Sequence, residues 1–415
     1  MAGHRGRRSR RPQVHRTAPP GASVSTAVRP WRPWQLSGLE LASGYALGLD
    51  VTQRIPRARL TGTTARQAFE EVLLEALAQP PCVVSFSGGR DSSAVLAVAA
   101  SVARREGLPA PIAVSLRFAG VATAEESRWQ EMVIAQAGIS DWERVEVTTE
   151  LDLLGPLARD LVRRHGVLWP ANTMFHAPIA ALARGGTLVT GFGGDEFMSS
   201  GWTWDRLNRV LSRQARPRRA DLVELAGALG PRRLRRKVLA RRPEPSAPSP
   251  WLQPHAEQAL QRSWEDMRVG EPVRYDEAVQ YWGASRYITK TLESLELLAG
   301  GFGASIKHPF ADVRFFTAAA RERGRNCPRS RAEAMVALFA DVLPEPTLVR
   351  VSKASFNAPF LGPETREFAA QWDGSGVDPS LVNVRALMKM WRSPDPDARS
   401  YPVFQAAWAA TVGPQ

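Results

Sequence analysis

A chain of 415 residues that is 44% hydrophobic is long enough for one large domain or two smaller ones, with a substantial core. No apolar run approaches the ~18 residues of a membrane span, no signal-peptide-like apolar stretch stands at the start, and Cys82 and Cys327 alone make no disulfide framework, so a soluble, cytoplasmic protein is the expectation. The net charge of +13 suggests a nucleic-acid partner, but residues 1–16 hold six arginines and no acid, residues 213–242 hold eleven Lys/Arg against two acids, and the remainder is close to neutral, which argues against that partner.

In chain order, residues 1–30 read as a basic, disordered tail. Ala65 to Ala78 has the spacing of an amphipathic helix. Cys82 to Phe86 is an apolar, β-prone run, and Ala94 to Ala100 begins a helix after it. Strands follow at Ile112 to Phe118, Arg144 to Val147 and Thr187 to Thr190. Helices fill the gaps at Glu125 to Ala137, Leu151 to Arg164 and Thr173 to Arg184. Strands alternating with helices predict a parallel sheet. The basic stretch 213–242 runs into Pro243-Glu244-Pro245-Ser246-Ala247-Pro248 and reads as an exposed loop or insert. Beyond residue 251 the pattern turns helical, with long segments over Asp276 to Ala299 and Ala332 to Val342.

Two loops carry chemistry. Ser87-Gly88-Gly89-Arg90-Asp91-Ser92-Ser93 joins the first strand to its helix. Its glycines let the backbone approach an anion, its N–H groups form a concave nest, and the helix N-terminus adds donors and a favourable dipole. The hydroxyls of Ser87, Ser92 and Ser93 are further donors, and Asp91 is a hard oxygen ligand for magnesium. The loop is neither a Walker A sequence nor a dinucleotide fingerprint. The second loop, Gly191-Phe192-Gly193-Gly194-Asp195-Glu196, also ends a strand, where ligands of open α/β sheets bind.

Ser-Gly-Gly-x-Asp-Ser resembles the pyrophosphate loop of ATP pyrophosphatases, and the two loops together resemble the synthetase domain of the asparagine synthetase B family. That group also contains β-lactam synthetases and lasso peptide cyclases. Further landmarks are Glu125-Glu126-Ser127, Lys307-His308-Pro309-Phe310-Ala311-Asp312, and Leu343-Pro344-Glu345 followed by Arg350 and Lys353-Ala354-Ser355-Phe356. The resemblance implies an α/β, parallel-sheet PP-loop domain, similar to adenine nucleotide α-hydrolases, with a mostly helical C-terminal part. It divides the chain into a tail (1–30), a vestige of a glutaminase-like domain (31–64), a core (65–210), an insert (211–250) and a helical part (251–415). Leu39 to Asp50 resembles the end of a glutaminase-like domain and is expected to be a hairpin.

The implied chemistry is adenylation of a carboxylate by ATP, then attack by ammonia or an amine, with AMP and pyrophosphate released. Asp91 and Asp195 would hold Mg2+; Ser87, Gly88, Gly89, Asp91, Ser92 and Ser93 would hold ATP. Backbone groups of Leu116 and Gly191 would face the adenine and ribose side, and Lys353 would neutralise phosphate or oxyanion charge as a mobile cation. No cysteine precedes Cys82, so no glutaminase nucleophile is expected here. Phe192 stands where asparagine-forming members carry glutamate and β-lactam synthetases tyrosine, and it neither accepts a proton nor donates a hydrogen bond. The expected partners are a small-molecule or peptide carboxylate, an amine donor, and a separate precursor peptide or amidotransferase. A peptide or small-molecule cyclase of the lasso peptide or β-lactam synthetase type is the first alternative, followed by a tRNA-modifying enzyme with the same loop and a non-catalytic scaffold.

Overall fold

The structure, a computed structural model, describes residues 36–50, 62–118, 126–199, 202–242, 247–350 and 358–412. Five strands form one parallel sheet: β1 Cys82–Ser85, β2 Ile112–Phe118, β3 Trp142–Val147, β4 Thr187–Val189 and β5 Ser305–Lys307. The order is β3-β2-β1-β4-β5. The central strands are buried on both faces, which is why Cys-Val-Val-Ser and Thr-Leu-Val are continuous rather than alternating runs. β3, at one edge, alternates as Trp-Glu-Arg-Val-Glu-Val. It begins two residues before the predicted strand, where the Trp142 indole N–H donates to Ser115 Oγ at 3.0 Å.

The helices Ala65–Leu77 and Arg90–Glu106 cover one face, and Phe69 packs edge-on against Phe310 and Phe315 at 4.9 and 5.2 Å between ring centroids. Phe310 is fully buried, so the Lys307-to-Asp312 landmark is anchored by its aromatic ring. Its polar residues complete the joint: Lys307 pairs with Glu75 at 2.7 Å, and Asp312 caps the Val313–Arg323 helix by accepting from the Arg314 N–H. The parallel sheet and the helical C-terminal part are those expected from the sequence. The strand β5 was not expected: three half-exposed residues carry too little pattern.

Several local expectations need correction. The helix predicted from Leu151 spans Pro156–His165, because Gly155 takes an extended N-cap and Pro156 suits the first turn. The segment from Thr173 is a 3-10 turn, Ala171–His176, followed by the helix Ala177–Leu182. The long helix over 276–299 is two, Tyr275–Gly283 and Arg286–Gly301, because Ser285 caps the second by accepting from the Ile288 N–H. Residues 213–242 are not a loop; they contain the helices Arg219–Leu229 and Arg232–Leu239, whose Ala228 and Leu239 pack on Trp204. The expected hairpin over 39–50 is instead the helix Gly38–Ser43, closed by a Ser37–Glu40 capping box and by Gly44 at φ +71°. Buried Glu40 pairs bidentately with Arg286 at 2.7 and 2.8 Å, which fastens this segment to the second half of the chain. The tail 1–30 lies outside the described residues. Among the described residues, no helix is long and apolar enough to cross a membrane.

Candidate active site

In this strand order the chain runs outward from β1 through β2 to β3, then returns to β1's other side with β4. The loops after β1 and β4 therefore diverge at the sheet's carboxyl end and leave a crevice between them. The loop after β1 holds its shape with its own hydroxyls. Ser92 Oγ accepts from the Ser87 N–H at 3.2 Å and lies 3.1 Å from Ser87 Oγ, which accepts from the Gly89 N–H at 3.3 Å. Gly88 has φ +83°, and a Cβ there would meet Gln130 Cγ at 2.9 Å. The 17-residue helix Arg90–Glu106 starts immediately after it, so its unpaired N–H groups face the crevice.

Close approach explains the glycines of the second loop. A Cβ on Gly191 would lie 2.9 Å from Ser92 N, and one on Gly194 would lie 2.3 Å from Asp91 Cγ. Gly193, at φ +98°, sits against the backbone of Ala311. Asp91 and Asp195 are thereby brought together, and one guanidinium, that of Arg331, donates to both. Both carboxylates are thus within reach of a single cation. Asp91 Oδ1 is buried with no hydrogen-bond partner, as suits an oxygen that serves a metal. Among the described residues no group of three His, Cys, Asp or Glu is gathered, so the protein would supply two carboxylates. Magnesium at phosphate sites commonly has this donor set, with water and phosphate oxygens filling the remaining positions.

A cavity of about 410 Å3 opens over these groups, lined by Ser87, Gly89, Asp91, Ser92, Gly191, Phe192 and Asp195 among others. Ser93 is fully buried behind the loop, and Gly88 turns its carbonyl to Arg350 at 2.9 Å. Leu116 lines a much smaller neighbouring cavity together with Ser85 and Ser87. Lys353 and Glu125 lie outside the described residues.

Other landmarks meet at the loop. Arg350 and Glu126, both 8% exposed, form a bidentate pair at 2.6 and 2.9 Å, and the Arg350 guanidinium lies 4.5 Å from the Trp129 ring centroid. This pair and the Arg350–Gly88 bond fasten the phosphate loop, and both side chains also line the cavity. On the β4 side, Thr190 Oγ1 accepts from the Phe192 N–H at 3.2 Å and lies 2.7 Å from His308 Nδ1. His176, lining the cavity, lies with Nδ1 3.4 Å from Ser85 Oγ. Burial pulls His176 down to about 4, and burial, then His176, pulls His308 down to about 3, so both imidazoles are neutral at pH 7. Burial raises Glu196, and it pushes the Cys82 thiol to about 12, leaving it inert.

Arg331 and His176 were not legible as site residues. Arg331 opens the helix Arg331–Phe339 behind the N-cap Ser330, a local signal for a helix start that carries no mark of a site. What assembles is a phosphate nest, two carboxylates that one cation can span, and a cavity beside them. The sequence model of the family described as asparagine synthase matches residues 64–411. No curated protein matches the chain. The chain belongs to the asparagine synthase family, as an ATP-dependent carbon–nitrogen ligase of the asparagine synthetase type.

Proposed function

We propose that this chain activates a carboxylate as an acyl-adenylate and passes the acyl group to an amine, with release of pyrophosphate and then AMP. The observation that carries the reading is the meeting of Asp91 and Asp195 beside the Ser87–Ser92 nest. A carboxylate oxygen attacks the α-phosphorus, and the bond to the leaving pyrophosphate breaks. The loop N–H groups and the helix N-terminus stabilise the charge that pyrophosphate carries away. Asp91 and Asp195 would hold magnesium, which when bound neutralises phosphate charge. Lys353 is assigned as a mobile cation on the strength of its sequence alone.

The amine nitrogen then bonds to the acyl carbon as the bond to AMP breaks, and its proton passes to water where no side chain accepts it. Phe192 lines the cavity and offers no such acceptor. Asparagine-forming members carry glutamate at that position, so its replacement favours an amine other than ammonia, supplied separately, with peptide or small-molecule cyclisation as the second reading. The test is product analysis. With ATP, magnesium and a candidate carboxylate, the protein should release pyrophosphate and, after amine addition, AMP. Asp91→Ala and Asp195→Ala should each lower release more than 100-fold, and formation of ADP and phosphate instead would overturn the proposal.

A further inference from the structure

A second cavity, of about 580 Å3, shares the short helix Gly194–Phe197 with the first. Asp195 lines one cavity and its neighbour Glu196 lines the other. The second cavity is walled by the rings of Tyr45, Trp202, Trp264, Trp282 and Tyr287. These rings are held in place. Tyr45 and Trp264 meet edge to face at 5.4 Å, and the Trp202 indole N–H donates to Ser199 O at 3.2 Å. The Trp282 N–H donates to Glu271 Oε2 at 2.9 Å.

Carboxylates supply the polar part. Glu271, 2% exposed, accepts from the Thr203 N–H and O–H at 3.0 and 2.7 Å as well as from Trp282. Glu196 Oε1 accepts from the Tyr287 O–H at 3.1 Å. Arg242 and Arg268 also line the space, and Arg242 is paired with Glu224 at 2.9 Å. The lining thus sets Glu196 and Glu271 against Arg242 and Arg268, with Arg242 already neutralised by Glu224 outside the lining.

We propose that this cavity is the acceptor-amine site: it takes a ring-bearing primary amine, ring among the tryptophans and amino group against Glu196. The proposal rests on the amide-forming reading above, since it names that reaction's amine. Ring faces attract ammonium groups and bury aromatic area at once. Asp195 and Glu196 are consecutive, so the two cavities adjoin at this short helix.

Three tryptophans in the wall make their own fluorescence the readout, without ATP or turnover. The full chain would be titrated with 2-phenylethylamine, and separately with 3-phenylpropionate and n-butylamine. The expected result is a saturable emission change with 2-phenylethylamine at an affinity about tenfold or more above either comparator. Glu196→Gln should weaken the amine about tenfold and close its gap to 3-phenylpropionate. Ser199→Leu, which fills space beside Trp202 without touching a carboxylate, should weaken both ring compounds. Equal affinity for amine and carboxylate, or no saturable response from a chain that still releases pyrophosphate, would overturn the proposal. Amine binding retained in a chain that releases no pyrophosphate would overturn the ligase reading instead.

Discussion

Replacing Arg350 by methionine removes the cation from a buried pair beside the phosphate loop while keeping much of the side chain's bulk. Glu126 would then keep its charge at 8% exposure with neither of its guanidinium bonds. Breaking a buried pair from one side costs about 3–5 kcal/mol, mostly the penalty of the stranded charge. The Gly88 carbonyl also loses its donor, worth ~1 kcal/mol more. Urea unfolding at pH 7 should therefore show Arg350→Met destabilised by about 4–6 kcal/mol. Glu126→Gln in the same background removes the stranded charge and should return at least ~2 kcal/mol. Arg350→Lys keeps the charge but not the two-pronged geometry, and should fall between. A loss below ~1 kcal/mol for Arg350→Met would refute the reasoning, as would a double variant no more stable than the sum of its single changes.

Two more outcomes follow from contacts in the site. Gly194→Ala places a methyl group on the Asp91 carboxyl, so ATP-dependent pyrophosphate release should fall at least ~100-fold with the unfolding midpoint nearly unchanged. Gly193→Ala instead meets Ala311 backbone at a positive φ and should lower the midpoint itself; scanning calorimetry and the release assay separate the two. The buried histidines make a pH prediction: their folded values lie near 4 and 3, below the ordinary 6.5, so the stability they contribute is full above pH 6.5 and is lost as pH falls from there toward 4 and 3. At pH 5 one such histidine costs about 2 kcal/mol, and His308→Gln should flatten the fall between pH 7 and 5; an unchanged slope would show that His308 does not titrate on unfolding.

The elements read correctly from sequence were those with a local cause. Cys82–Ser85 and Thr187–Val189 are buried on both faces and stay apolar throughout, and each is followed by a glycine turn. Where distant contacts set the structure, the reading failed. Ser37 to Gly44 carries a helix signature that is visible in retrospect, yet its register against Arg286 depends on a bond between residues 246 apart. The break before Ser285 lies inside a periodic apolar run, where a cap competes with continued helix and tertiary packing decides. β5 is a strand because β4 offers an unpaired edge, not because Ser-Ile-Lys prefers that state.

The sequence by itself determined the phosphate loop, the acidic loop and the family they mark, because a strand, a glycine turn and a helix are contiguous and their chemistry is local. Only the tertiary structure decided that the two loops serve one site. The strand order places β4 beside β1, and that adjacency brings Asp195 to Asp91. The same fold brings Arg331 to Asp91 across 240 residues and ties Arg350 to the Gly88 carbonyl. Such contacts depend on how helices and strands pack, which no run of neighbouring residues encodes.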